Sequence, residues 1–531
     1  MDKAVEMGKT SATGSFQLFV GRIASTFVLA IGSIVVGIFI NEAEYGLYTI
    51  AVVPAATFLL FQDWGVGSAL TRYCANYRAA KMEGELRNIV VAGLTFEFAT
   101  GLALTLLSIL VANFVASTMF GNPESGLLIA VSSITILSAA ILVGSQSVIT
   151  GFEQMKLTII PSVVSAATQG LLSPLLVYLG FGAFGAVVGV TAASVASSIT
   201  ALSLLYFAIF RKLPPGNLDK VKVFQSFKIL LSYGIPIAVA SIISGIGPQL
   251  YSFIMASSTD ITLIGNFKIA TNFGIFVTFF TMPIQTVLFP VFSKLHPSRD
   301  KELVKTVFAS SIKYSSILLV PATIAIMVLS TPLITTVYGD KWPFAPFFLA
   351  IYVIGYLFVL LGVFSYDRLL YATGDTKFLL KLSALGLCIG IPFAFLLIPP
   401  LGILGLIIVG QVSGVPTMLI GLYWTWKHYE TKVDLRNSAR ILLASLAAGA
   451  ITCLFLNIFN AAAWIMLAAG VLLFMVSYLV SAPLVGAVNQ MDLNNLRAMF
   501  SGLGPVSKLL QIPLAIVETI LKAKEKRSKT Y

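Results

Sequence analysis

Five charged side chains fall within, or at the edge of, otherwise apolar stretches: Arg22, Asp63, Glu97, Lys268 and, at the inner end of its stretch, Asp367. A charge at the bilayer centre costs about 2.5–3.5 kcal/mol on insertion scales, so such residues face a cavity or a partner. Arg22 and Lys268 are the only bases at that depth. Facing a cavity, either would attract an anionic headgroup. The alternatives are that Arg22 snorkels to the inner interface or pairs with Asp63 or Glu97, and that Lys268 snorkels to the outer surface. Glu97 lies about ten residues into its span and suits a proton or cation site, or an ion pair with Arg22. Asp63 opens Asp63-Trp64-Gly65-Val66-Gly67. It reads as a second ion-coupling candidate, or as a turn-side carboxylate paired with Arg72 or Arg78.

Uncharged amides form a second layer: Gln17, Gln146, Gln169, Gln249, Asn272, Gln285 and Gln411. At membrane depth an amide either bonds a neighbouring helix or lines a wet path, where it can hold a sugar hydroxyl. Gln17, Gln249, Asn272 and Gln285 therefore join Arg22 and Lys268 as candidate substrate-cavity residues. Other chemistries lack their signatures. There is no GxxxxGK[ST] phosphate loop and no HExxH zinc motif. Cys74, Cys388 and Cys453 stand singly, and the two histidines, His296 and His428, sit in basic loops. The expectation is a protein that is not an enzyme, with no cofactor, no metal and no nucleic-acid partner.

The elements that must position these residues are membrane helices. Of 531 residues, 57% are hydrophobic and 11% charged, where soluble domains carry about 25% charge. A span needs about 20 apolar residues, and about 14 such stretches follow one another. They run 14–40, 46–70, 88–115, 127–150, 158–179, 184–210, 229–256, 263–291, 313–336, 345–366, 378–398, 402–426, 439–459 and 463–486. The first is too long for a signal-peptide core and reads as a retained span. Lysine and arginine crowd alternate loops, and the opposite loops hold essentially one, Lys341. With an even count, the positive-inside rule puts both termini in the cytoplasm, and the expected location is the plasma membrane. It also accounts for the net charge of +12, as an attraction to membrane lipids.

Landmarks repeat along the chain. Gly46 returns as Gly265, Glu85 as Glu302, Phe120-Gly121 as Tyr338-Gly339, Gly151 and Lys156 as Gly374 and Lys377, and Gly182 as Gly402. The offsets are 219, 217, 218, 223, 221 and 220. Six helices per copy make the repeats parallel. The division that follows is an N-lobe over 1–210, a basic cytoplasmic linker over 211–228, a C-lobe over 229–426, two extra helices over 427–486, and an amphipathic, basic tail over 487–531. The tail reads as a helix on the inner leaflet, with Asp492 as a cap. Span 7 carries Pro236, Gly245, Gly247 and Pro248, a pattern that suits a hinge or gate and equally a static kink.

Several of these landmarks carry a family resemblance. They are Glu44-Tyr45-Gly46-Leu47-Tyr48, Asp63-Trp64-Gly65 with Ala69 and Arg72, Tyr233-Gly234-Ile235-Pro236, and Gly265-Asn266-Phe267 with Ala270. Together they resemble polysaccharide transporters, nearest to the oligosaccharide flippases, of the multidrug/oligosaccharidyl-lipid/polysaccharide exporter superfamily. The resemblance covers essentially the whole chain. It implies an all-α, polytopic, MATE-like two-lobe fold whose cavity opens alternately to either side. It implies a flippase that moves a polyprenyl- or dolichyl-(pyro)phosphate-linked oligosaccharide to the outer leaflet, with cavity bases on the phosphate. Glycosyltransferases or a polymerase of the same pathway are the implied partners. Related lipid II flippases have an Arg-rich cavity, and this chain has fewer bases. A cation-coupled multidrug exporter of the same superfamily is the second reading, and a membrane scaffold for a glycan-assembly complex the third.

Overall fold

The computed structural model describes residues 21, 24–213, 220–277, 292–295, 300–501 and 506–528. Each of the fourteen expected spans contains helix within those residues. The first is α1 (Ala24–Phe39). Next come α2 (Glu42–Ala51), α3 (Val53–Leu59), α4 (Val66–Ala79), α5 (Glu83–Phe114), α6 (Ser125–Gly151), α7 (Met155–Leu176) and α8 (Gly182–Ala208). Then follow α9 (Lys220–Ser258), α10 (Ile261–Phe273), α11 (Lys301–Val328), α12 (Ser330–Tyr338), α13 (Ala345–Tyr352) and α14 (Val363–Thr373). The series closes with α15 (Thr376–Leu401), α16 (Ile403–Tyr429), α17 (Leu435–Ile458), α18 (Ala463–Val485), α19 (Gln490–Ser501) and α20 (Val506–Ser528).

Nine helices among the described residues are long and apolar enough to cross a membrane, or ten with one bent pair. One of the nine, Met155–Lys212, holds two expected spans. Gly180 at φ 89° and Gly182 at φ 47° leave helical geometry between them. α7 and α8 pack against each other, so close that a Cβ on Gly189 would meet the Ser173 backbone. Leu110 is 80% exposed and Ile458 74%. Side chains of that kind in spanning helices are directed at lipid. The chain is a multi-pass membrane protein.

Two expected spans are interrupted. The span expected over 46–70 is not one helix: it stops after α3 and resumes at Gly65, whose φ is 76°. Non-helical backbone at this depth is tolerated where protein buries it, and Gln62, within the gap, is 2% exposed. The span expected over 345–366 runs through α13 and a tight 3-10 segment, Val353–Leu361, then turns 57° at Gly362 into α14. Gly362 has φ 90°, and a Cβ there would lie 2.6 Å from Ile312 Cδ1. Only glycine meets both conditions without strain.

Packing divides the chain into two compact units, Met1–Lys268 with Leu387–Val409, and Ile269–Gly386 with Gly410–Tyr531. This partition differs from the division by repeat. α9 and the first part of α10 open the second repeat, yet they pack with the first. Within each unit the repeat still shows in the core. Ile89, Val148 and Ile149 are buried together in the first unit. Phe308, Leu369 and Leu370, at offsets of 219 and 221, are buried together in the second.

The C-terminal tail forms two helices held to the second unit. Asn489 and Asp492 cap α19 reciprocally, each side chain accepting from the other's backbone N–H at 2.9 Å. Asp492 Oδ2 also meets Lys313 Nζ of α11 at 2.7 Å. Asn495 donates to the Tyr314 hydroxyl at 2.7 Å, and Arg497 pairs with Glu518 of α20. The tail therefore docks on its own protein through specific polar contacts.

Candidate functional site

Glu97 is the most deeply placed of the described candidates, with no exposed surface. α5 carries it past the gap between α3 and α4, where Gln62 Nε2 donates to its Oε2. Its other oxygen, Oε1, has no hydrogen-bond partner among the described residues. Gly144 of α6 makes the room: a Cβ there would lie 3.2 Å from Glu97 Cγ. Asp63 is the next residue after Gln62 and lies in the same gap. Its Oδ1 accepts from Gly67 N at 3.2 Å, at the positive N-terminal end of α4.

The expected pairing of Asp63 with Arg72 or Arg78 is not what the structure holds. The Arg72 guanidinium lies 4.7 Å from the Tyr233 ring centroid. Arg78 reaches Glu153 at 3.7 Å. A carboxylate and an amide thus pair in the interior, with one oxygen left available, and a second carboxylate follows the amide directly in the chain. That arrangement can bind a proton or a small cation. Gln62 is the member the sequence reading passed over. The signal was its place beside Asp63 in a polar interruption of an apolar run.

Lys268 and Asn272 both lie on α10, one turn apart and so on one face. Both are half-buried. α10 is located by a close crossing with α2. A Cβ on Gly46 would collide with Ile261, and one on Gly265 with the Glu42 carbonyl. Asn266 Nδ2 fastens the crossing, donating to Glu42 Oε2 at 2.7 Å and to the Thr262 carbonyl at 3.0 Å. Arg22, Gln17 and Gln285 lie outside the described residues.

α9 runs unbroken through Pro236, Gly245, Gly247 and Pro248. Two of these residues serve close packing. A Cβ on Gly245 would sit 2.6 Å from Leu60, and one on Gly247 2.8 Å from Leu387. Gly234, about three helical turns earlier on α9, abuts Gly65 backbone to backbone. Gln249 is half-buried on this helix. Of the remaining amides, Gln146 donates to the Thr158 carbonyl at 3.3 Å, a helix-packing role. Gln169 lines a cavity of about 30 Å³ with Ser33, Tyr45, Tyr48 and Ser173. A space of that size and polarity suits a water molecule.

A family model described as polysaccharide biosynthesis protein matches residues 35–345. Among solved structures, the lipid II flippase MurJ in an inward closed conformation aligns with a TM-score of 0.69 at 15% identity, over 88% of this chain and 98% of that one. An inward-facing multidrug resistance MATE transporter of the MOP superfamily aligns at 0.62 and 16% identity, over 77% and 98%. A MOP superfamily transporter from Pyrococcus furiosus aligns at 0.52 and 18% identity, over 80% and 96%. At these identities the likeness is one of fold. No curated protein sequence matches.

Proposed function

The chain belongs to the polysaccharide biosynthesis protein family, and from that premise we propose that it is a flippase for a lipid-linked oligosaccharide. Its substrate is an oligosaccharide on a polyprenyl or dolichyl (pyro)phosphate, carried from the cytoplasmic to the outer leaflet of the plasma membrane by alternating access. The family match carries the reading, because residues 35–345 take in Asp63, Glu97 and Lys268. A fold shared with a lipid II flippase supports it. Lys268, with Arg22, holds the phosphate, and Gln17, Gln249, Asn272 and Gln285 hold sugar hydroxyls. Pro236, Gly245, Gly247 and Pro248 form the part of α9 that flexes as access alternates. Both termini are cytoplasmic, where glycosyltransferases or a polymerase of the pathway would meet the protein.

The purified chain in liposomes, loaded with a fluorescent polyprenyl-pyrophosphate oligosaccharide, should move the label between leaflets. Arg22→Ala with Lys268→Ala should slow it at least tenfold while the protein stays folded. Full flipping by the double variant would remove the phosphate role. No flipping by the wild type would favour a scaffold in a glycan-assembly complex.

One observation favours a second reading, a cation-coupled multidrug exporter: the buried Glu97 with an available oxygen beside Asp63. Drug accumulation that does not change when the protein is removed from cells would count against it.

A further inference from the structure

The second unit, which contains neither Glu97 nor Lys268, has an open cleft of about 680 Å³, within the usual range for ligand sites. It is lined by Lys305, Thr306 and Ala309 of α11, Trp426 and Lys427 from the last turn of α16, and Glu430 and Lys432 just beyond. Its charge is only partly balanced. Glu430 bridges Lys301 at 3.7 Å and Lys305 at 2.6 Å, and Lys305 also meets Glu302 at 2.8 Å. Lys427 and Lys432 are exposed and enter no ion pair among the described residues. The last turn of α16 is firmly set by a stack: Phe378 on Trp424 with ring centroids at 4.0 Å, and Trp424 on His428 at 3.9 Å.

What leads into the cleft identifies its occupant. Leu419, Tyr423 and Trp426 recur at i, i+4 and i+7, hence on one face of α16. They are 54%, 57% and 48% exposed. On a spanning helix such a face meets acyl chains. Its tyrosine and tryptophan mark the headgroup level, where the lysines begin. A free anion has no use for that apolar approach.

We propose that this cleft binds the phosphate-bearing headgroup of a membrane lipid. Lys427 and Lys432 meet the phosphate, and the acyl chain lies along Leu419, Tyr423 and Trp426. Glu430 occupies Lys301 and Lys305 and so limits the site's charge. The site shares no residue with the one proposed for the transported substrate and does not depend on what is flipped.

The test is native mass spectrometry of the purified full chain in detergent, titrated with dioleoyl phosphatidic acid. Dioleoyl phosphatidylcholine and inorganic phosphate are run as separate arms. Phosphatidic acid should bind more tightly than phosphatidylcholine. Lys427→Ala with Lys432→Ala should weaken the tightest binding event about 30-fold, from the contribution of a surface lysine to anionic-lipid binding. Glu430→Gln should strengthen it several-fold by releasing Lys301 and leaving Lys305 with Glu302 alone, a gain that damaged folding would not produce. Trp426→Ala should weaken phosphatidic acid binding alone. Unchanged binding in the double lysine variant, with its unfolding temperature retained, would overturn the proposal. Inorganic phosphate displacing the lipid at comparable concentration would overturn it in favour of a free-anion site.

Discussion

Gly46 and Gly265 stand 219 residues apart and occupy equivalent places in one reciprocal crossing. Gly46 faces Ile261 and Gly265 faces Glu42, and those two partners are also 219 residues apart. A Cβ on Gly265 would lie 3.1 Å from Gly46 N. The contact is isologous in the sense used for two-fold dimers, although both halves belong to one chain. An internal repeat thus places its own landmark residues against each other, and Lys268 is located one turn from the crossing.

Substituting Gly265→Leu should force α2 and α10 apart and cost about 3 kcal/mol, at the upper end for overpacking because the obstacle is backbone. Gly46→Leu should cost a similar amount. The double variant should cost less than the sum, since the first substitution already opens the crossing. Thermal unfolding in detergent reads all three, and strict additivity would contradict a shared contact.

Gln62→Ala removes the described donor to a buried carboxylate and should cost about 1–3 kcal/mol. Glu97→Gln keeps size and can pair with Gln62, so its unfolding temperature should stay near the wild type. If Glu97 couples transport to an ion, that same variant should no longer respond to an imposed proton or sodium gradient in liposomes. A gradient response equal to wild type would exclude Glu97 as the coupling group.

Gly362→Ala meets two obstacles, a left-handed backbone and the Ile312 side chain. The expected loss is about 2 kcal/mol. Adding Ile312→Ala relieves the second obstacle but not the first. The pair should then show a favourable coupling in a double-mutant cycle, and none would appear if the loss were purely backbone strain.

Asp492→Asn should leave Lys313 without its counter-ion in a site where the two side chains are 17% and 6% exposed. A loss of up to about 3 kcal/mol follows, concentrated in the tail. Limited proteolysis should then cut after the basic residues of α20 faster than in wild type. Adding Lys313→Met to Asp492→Asn should restore most of the protection, because no buried charge is then left unpaired and the substituted amide can still accept from Asn489 N.

The tail should also loosen in acid. Lys522 and Arg497 hold the Glu518 carboxyl below the usual carboxylate range. A depressed carboxyl stabilises the folded state fully above its unfolded value, about 4.3. That contribution fades as pH falls through the lower, folded value. Proteolytic release should therefore stay flat from pH 8 to about 5 and rise below about 4. Glu518→Gln should remove the contribution of these pairs at neutral pH and lessen the acid dependence. Release that began to rise near pH 6 would point to a different group.

Much of the architecture was legible in the chain itself. Long apolar runs can form only helices in lipid, because backbone polar groups there must be satisfied within the segment. The loop charges and the recurring Gly46/Gly265 landmarks then ordered those helices into a repeat. The charges Asp63, Glu97 and Lys268 stood out because such residues are rare in an apolar run. Tertiary structure decided what each one touches. Gln62 became Glu97's partner only because the chain leaves helical geometry after α3, and hydropathy is blind to a break inside an apolar run. Asp63 settled at a helix end while Arg72 turned to Tyr233, since ring faces and carboxylates compete for the same guanidinium. The bend fell at Gly362 and not in proline-rich α9. A proline inside a helix can be accommodated by its neighbours, whereas a glycine forced to φ 90° must turn the chain.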